Sequence, residues 1–214
     1  MVQAHSAGRD EPVTKKITGL KVQVKNLERV SVFVDGKYSF SLNQNQLLDL
    51  KLRVGLEVTD QEIENFKRAS DFGKNYERAL IYVMIRPRST KEVRDYFKRK
   101  KVDHNDAELI IDKLKAKRYL SDENFARSWI ENRNLGKKTS ARKLKMELKQ
   151  KGLSESLINE ALSTSNFSED DALKNLIAKK RKNVKFAADP QKLMQYLARQ
   201  GFGFDEIKQA MFQD

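Results

Sequence analysis

Lys91, Arg94 and Lys98 follow one another at i, i+3 and i+7, and Arg142, Lys145 and Lys149 repeat that spacing 51 residues later. On a helix such spacing places each set of three charges on one face. The chemistry it offers is electrostatic: pairing with phosphates or acidic side chains, with no bond made or broken. Lys100-Lys101, Lys137-Lys138 and Lys179-Lys180-Arg181-Lys182 enlarge this candidate binding surface. A charge run alone is ordinarily a solvated face, and repetition at matched positions is what argues for one continuous basic surface. Bond-breaking chemistry finds no comparable support. There is no cysteine, and the two histidines, His5 and His104, stand far apart, which excludes a thiolate zinc cluster and a cysteine nucleophile and leaves no histidine-rich metal centre. Leu135 to Ser140 bears a faint likeness to a phosphate-binding loop, but the position five before Gly136 is Glu131, and no strand-like run precedes it. The Asp122-Glu123 pair falls at an expected helix start, where carboxylates interact favourably with the helix dipole. His104 reads as a solvated residue in a polar linker. Trp129 shares helical spacing with Phe125, Ala126 and Ile130, which favours core packing over base stacking. Catalytic, cofactor-binding and metal-ligating residues are therefore expected to be none, and the chain is read as no enzyme.

Charge across the chain supports a binding role. Of 214 residues, 43 are Lys or Arg and 30 are Asp or Glu, a net +13. The segment 75–120 carries +6 of this, against +2 or +3 in each other segment. Such a surplus points to a polyanion or an acidic protein surface. No helix rich in Asn, Gln and Arg suggests base-specific reading, so contact with single- or double-stranded DNA would be non-specific. No apolar stretch approaches the roughly 20 residues of a membrane span, and the first residues lack a signal-like apolar core. The expectation is a cytoplasmic monomer with no membrane partner.

The elements that position these charges follow from hydrophobic periodicity. Residues 1–14 lack an apolar period and read as a disordered tail. In 15–74, Val22, Val24, Val30, Val32 and Val34 alternate with polar residues, and Asp35-Gly36 supplies the positive φ angles of a tight hairpin turn before Tyr38 and Phe40. Short helices around Asn43 to Leu50 and from Asp60 complete a small α+β head ending near Phe72. After Gly73 the periodicity turns helical and an internal repeat emerges. Phe97, Leu148 and Leu197 superimpose at offsets of 51 and 49, as do Val102, Leu153 and Phe202, and Ala107, Ile158 and Ile207. Ala79, Ala126 and Ala172 superimpose in the first helices at 47 and 46. Ser89 with Glu92 has capping-box spacing, Ser121 starts another helix, Ser154 and Asp205 start third helices, and Gly152 and Gly201 close second helices. The fold expected is mainly α: three tandem three-helix repeats, 75–120, 121–166 and 167–214, in an elongated curved array behind the head. The aligned third-repeat positions of the stripe, Gln191, Met194 and Ala198, are uncharged.

Particular residues also resemble a known family. Arg86-Pro87-Arg88-Ser89 with Glu92-Val93, the stretch from Tyr119 to Ile130 with Arg133, and then Gly136, Leu144, Glu147-Leu148, Lys151-Gly152-Leu153, Ile158 and Ala161-Leu162 are similar to the blocks of the RecX family. Leu193, Tyr196-Leu197, Arg199, Gly201-Phe202, Ile207 and Ala210 resemble its terminal repeat. The likeness runs from about Asn75 to Phe212, with Lys15 to about Phe72 resembling the N-terminal extension of longer members. It implies three three-helix repeats and a non-enzymatic regulator that binds the RecA recombinase, lies in the groove of the RecA–DNA filament, and restrains strand exchange, ATPase and coprotease activities. One departure stands out: Lys100-Lys101 occupies the place of Lys151-Gly152, so that the first repeat's second helix is expected to end differently. The competing reading is a general, non-sequence-specific DNA-binding or architectural protein.

Overall fold

A computed structural model describes residues 14–136 and 139–212, in two compact units divided between Ala79 and Leu80. The first unit is built on four antiparallel strands, β1 (Thr14–Gln23), β2 (Asn26–Val34), β3 (Lys37–Asn43) and β4 (Glu57–Thr59), in the order β3-β2-β1-β4. Asp35 and Gly36 join β2 to β3 with φ of 48° and 79°, the doubly left-handed turn that matches strand twist. Val32, Val34, Phe40 and Leu42 form a core with Ile17 and Val58. Val22 and Val24, which the alternating pattern groups with the later valines, instead lie near the end of β1 and in the turn to β2 and are 54% and 95% exposed. β4, at three residues, is too short to show a period, and only its pairing of Thr14 with Thr59 and Lys16 with Glu57 defines it.

α1 (Gln44–Asp49) follows β3 with a capping box between Asn43 and Gln46, and α2 (Asp60–Ile85) follows β4. The expected break near Gly73 does not occur, because α2 runs unbroken for 26 residues. Gly73 is required for a different reason. A Cβ there would lie 2.5 Å from the Gln46 side-chain amide, which donates to the Ala69 carbonyl and fixes α1 on α2. Arg29 of β2, only 5% exposed, donates to both Glu77 carboxylate oxygens at 3.0 and 3.1 Å and to the Ser41 carbonyl at 2.7 Å.

The second unit continues with α3 (Thr90–Arg99), α4 (His104–Ala116), α5 (Asp122–Leu135), α6 (Ala141–Gln150), α7 (Glu155–Ser163), α8 (Glu169–Arg181), α9 (Val184–Ala187), α10 (Pro190–Arg199) and α11 (Phe204–Phe212). The ten-residue helices α3, α6 and α10 start behind N-caps Ser89, Ser140 and Asp189, in the 51 and 49 register of the sequence repeat. Phe97, Leu148 and Leu197 are each at most 1% exposed, so one residue per second helix anchors each three-helix core. Phe167, ahead of α8, packs into the cores of both the second and third repeats. α9 is a single extra turn that no period announces.

Helix ends depart from expectation in three places. Lys101 takes φ of 55° beside 85° at Gly152 and 94° at Gly201, so the first repeat's second helix ends as the others do despite its lysine. Asp205 lies inside the first turn of α11, where the neighbouring Glu206 accepts from the Gly203 N–H. His104 is the first residue of α4, behind the Asp103 N-cap, not part of a linker.

Removing the Arg29 guanidinium would take the counter-charge from Glu77 and leave only the Asn43 amide on that carboxylate and the Ser70 hydroxyl on the Ser41 carbonyl. Arg29→Ala is expected to lower stability by about 2–4 kcal/mol, read as a reduced urea midpoint with circular dichroism following the transition.

Candidate functional site

The basic helices α3 and α6 are also the helices that join the repeats. The Ser89 hydroxyl accepts from the Glu92 N–H within its own capping turn and donates, at 2.8 Å, to the carbonyl of Lys151, the C-cap of α6. Ser140 does the same one repeat later, accepting from Lys143 N–H and donating at 2.7 Å to the carbonyl of Gln200, the C-cap of α10. Both serines are fully buried. A serine hydroxyl holds one donor and two lone pairs, so it alone can satisfy an orphan N–H of one helix start and an orphan carbonyl of the next helix end. A second bond accompanies each. Thr90 N–H donates to Asp122 at 2.7 Å, and Ala141 N–H donates to Glu169 at 3.0 Å, so the first acidic residue of each following repeat serves the helix start before it.

The glycines complete the joint. A Cβ on Gly152 would lie 2.8 Å from the Lys91 Cβ, and one on Gly201 would lie 2.7 Å from the Ser140 hydroxyl and 3.4 Å from the Arg142 Cβ. The stems of Lys91 and Arg142 thus rest where the next repeat presents bare backbone. Lys101, first of the series, is exposed, so its side chain has room that a Cβ on Gly152 or Gly201 would lack.

Around the first joint the charges form a network. Burial pushes the Glu92 carboxyl upward, but hydrogen bonds from Arg86, Lys151 and the Ser89 N–H, with the Lys151 charge, hold it at about 2. Glu147 accepts from Trp129 Nε1 and Arg133 Nε, both at 2.9 Å. Trp129 is half-buried and packs on the second repeat's core, as its spacing indicates. At the second joint Glu169 behaves oppposite to Glu92: burial and the Glu206 charge raise its pKa against the lowering effects of Ala141 N–H and Lys145.

The predicted cations divide by what surrounds them. Lys91 pairs with Asp95, Arg94 with Glu108 through two hydrogen bonds, and Lys149 with Glu155. Lys98 and Arg142 are exposed and make no ion pair among the described residues, and Lys145 is half-buried near Glu169. Lys100 caps α3, and it and Lys101 are exposed. In the third repeat the Lys180 ammonium sits 4.4 Å from the Tyr196 ring centroid and Arg181 donates to the Met211 carbonyl, which leaves Lys179 and Lys182 as the outward cations. Lys137 and Lys138 lie outside the described residues. The sequence reading did not find Ser140 or the serine bridges, although Ser89 and Ser140 stand at the 51-residue offset that marks the repeat.

No cluster of three metal-ligating side chains occurs among the described residues, and none of their helices is long and apolar enough to cross a membrane. Fold and site together define a tandem three-helix-repeat protein with basic second helices in its first two repeats and a strand-bearing head. Comparison with known proteins agrees in detail. Models of the RecX N-terminal domain and the first, second and third RecX three-helix domains match residues 15–59, 76–114, 121–162 and 168–211. Regulatory protein RecX of Bacillus licheniformis is 37% identical over 91% of this chain and 76% of its own length, and that of Bacillus subtilis is 34% identical over 92% and 76%. A crystal structure of regulatory protein RecX superimposes with a TM-score of 0.77 at 25% identity, covering 92% of this chain and 98% of that one. RecX from Lactobacillus salivarius shares the fold with a TM-score of 0.58 over 67% of this chain. The chain belongs to the RecX family of regulatory proteins.

Two predictions follow from the joints. Glu92 has a folded pKa of about 2 against an ordinary 4.5, so its stabilisation is complete above about pH 4.5 and disappears as pH falls toward 2. Glu92→Gln should lower stability at pH 7 and flatten the loss over that acid window, measured by urea denaturation at stepped pH. Gly152→Ala, forced into a left-handed conformation against Lys91, should cost about 1–2 kcal/mol, whereas Lys101→Gly should raise the thermal midpoint.

Proposed function

We propose that the chain binds the RecA recombinase and its DNA filament, lies in the filament groove, and inhibits recombinase, ATPase and coprotease activities. Membership of the RecX family supports a regulatory role. The observation that carries the reading further is the set of matched cations on α3 and α6 with none at the equivalent positions of α10. Because the serine bridges fix α3 and α6 in register, cations of the two helices are presented together. Each contact is weak by itself, and linking them raises the overall affinity through effective concentration. Lys98 and Arg142 meet the partner without losing an ion pair to any described residue. The pairs of Lys91, Arg94 and Lys149 involve side chains about half exposed, so exchanging them for phosphate costs little, on the order of 0–1 kcal/mol each. The third repeat, uncharged at the α10 positions aligned with the stripe although Lys192 and Arg199 stand beside them, supplies a less charged contact, with Lys179 and Lys182 at its edge. Bridging neighbouring recombinase subunits would oppose filament growth and rearrangement.

The test is inhibition of DNA-dependent ATP hydrolysis by RecA. Replacing Lys98 and Lys149 by Glu and Arg142 by Gln, which preserves the stem over Gly201, should weaken inhibition at least tenfold. If about six phosphates are neutralised, the log of DNA affinity falls with log salt at a slope of about −5, and the triple variant should flatten it by about 3. Unchanged inhibition by the folded variant would remove the basic face from the mechanism. Equal affinity for bare and RecA-coated DNA would favour a general DNA-binding protein instead.

A further inference from the structure

A groove of about 320 Å³ at the joint between the first and second repeats has a lining that the basic face does not explain. Its walls include the Phe125 and Trp129 rings, 5.5 Å apart between centroids, the guanidinium groups of Arg86 and Arg133, the Ser128 hydroxyl and the Asn132 amide. Two arginines would ordinarily suggest an anion. Here, however, both are already balanced, Arg86 by Glu92 at 3.2 Å and Arg133 by Glu147 at 2.9 Å. The nearby Lys151 ammonium, 5.1 Å from the Trp129 centroid, also pairs with Glu92. An acidic side chain entering the groove would face two carboxylates and find no uncommitted charge.

The Arg133 guanidinium also lies over the Trp129 ring, its central carbon 5.0 Å from the centroid, so what the groove offers is the exposed remainder of that half-buried ring, the outer guanidinium surface and neutral hydrogen-bonding atoms. Arg133 is held through Nε, and its two terminal nitrogens make no hydrogen bond among the described residues. Asn132 uses its amide N–H on the Ser128 carbonyl, leaving its own oxygen as an acceptor. These groups suit a planar, polarisable, uncharged ring carrying donors and acceptors on its edge. The volume lies at the lower end of the range of about 300–1,000 Å³ for small-ligand pockets. The matched positions of the third repeat, at an offset of 46, are Lys174, Asn175 and Ala178 in place of Ser128, Trp129 and Asn132. Repeat packing therefore does not itself demand an aromatic wall at this place.

We propose that this groove seats a nucleobase, so that the first joint holds one base of a single strand through stacking and edge contacts. This deepens the reading above and rests on its assignment of DNA as part of the partner. Stacking on an aromatic residue is a sequence-tolerant way of holding single-stranded nucleic acid, consistent with the lack of a base-reading helix. The base is neutral, so its contribution to binding is insensitive to salt, unlike that of the phosphates.

Trp129 is the chain's one tryptophan, so its fluorescence reports on the groove directly. The intact protein is titrated with a fluorescein-labelled deoxythymidine dodecamer, an abasic dodecamer of the same charge, and thymidine monophosphate, following label anisotropy for the oligomers and Trp129 emission for all three. The expected result is quenching by the thymidine dodecamer, little change with the abasic one, and affinity for the former about tenfold higher. Asn132→Leu, which fills the groove from an exposed position, should abolish quenching while leaving abasic binding intact. Quenching by the free nucleotide as well would support base recognition with a free nucleotide as its source. Equal quenching by the abasic oligomer, or thymidine-oligomer binding without quenching, would overturn the base site while leaving the basic-face reading intact. If no oligomer binds yet RecA inhibition persists, the base site fails alone. Base-dependent quenching without RecA inhibition would instead sustain the base site and refute the recombinase reading.

Discussion

One hydroxyl at each joint sets the geometry of the helical repeats. Ser89 and Ser140 each sit at a helix start, accept a hydrogen bond from a local N–H, and donate one to the C-cap carbonyl of the next repeat's second helix. Helix termini leave backbone groups without partners, and burying them unpaired is costly. Here two such termini, from different repeats, satisfy each other through one side chain. The requirement propagates outward. The carbonyl must come within 2.7–2.8 Å of the serine, so the left-handed residue after it must be bare, and the stem of Lys91 or Arg142 then occupies the space.

The same constraint explains why structural and binding roles are interleaved on α3 and α6. Their N-terminal turns face the following repeat, while Lys98 and Lys149 near their C-terminal ends reach solvent. The positions between do both. Arg94 grips Glu108 of its own repeat and feels the Asp122 charge of the next; Lys145 lies within reach of Glu169 in the same relation. The two joints also carry opposite responses to protonation. Acid removes the stabilisation from Glu92, whereas Glu169, with its raised pKa, loses its contribution as pH climbs through that raised value.

Much of this architecture is legible in sequence because it repeats. Offsets of 51 and 49 place Phe97, Leu148 and Leu197 on one core position, and the Asp35-Gly36 turn identifies itself chemically. The failures have physical causes. Gly73 is a weak helix former, and only the approach of Gln46, distant in sequence, shows why it is kept inside a continuous helix. β4 is too short to carry a period. Of the candidate site, the cations and their helices can be read directly, but not their partners: Asp95 and Glu155 neutralise stripe residues that look free in a linear sequence. The Trp129 groove was hidden for a related reason. Helical spacing correctly places the ring against the core, yet it cannot reveal that Arg86 and Pro87, from the loop of the preceding repeat, line the same groove.

Asp189 occupies the N-cap position that Ser89 and Ser140 hold, accepting from the Lys192 N–H and pairing with the Lys192 ammonium. Its carboxylate accepts hydrogen bonds but, when ionised, has no proton to give. The start of α10 therefore lacks the bond that fastens the three repeats to one another. A helix start of this kind is capped without being bridged, so what separates a joint from a plain helix cap in this chain is the proton of one side chain.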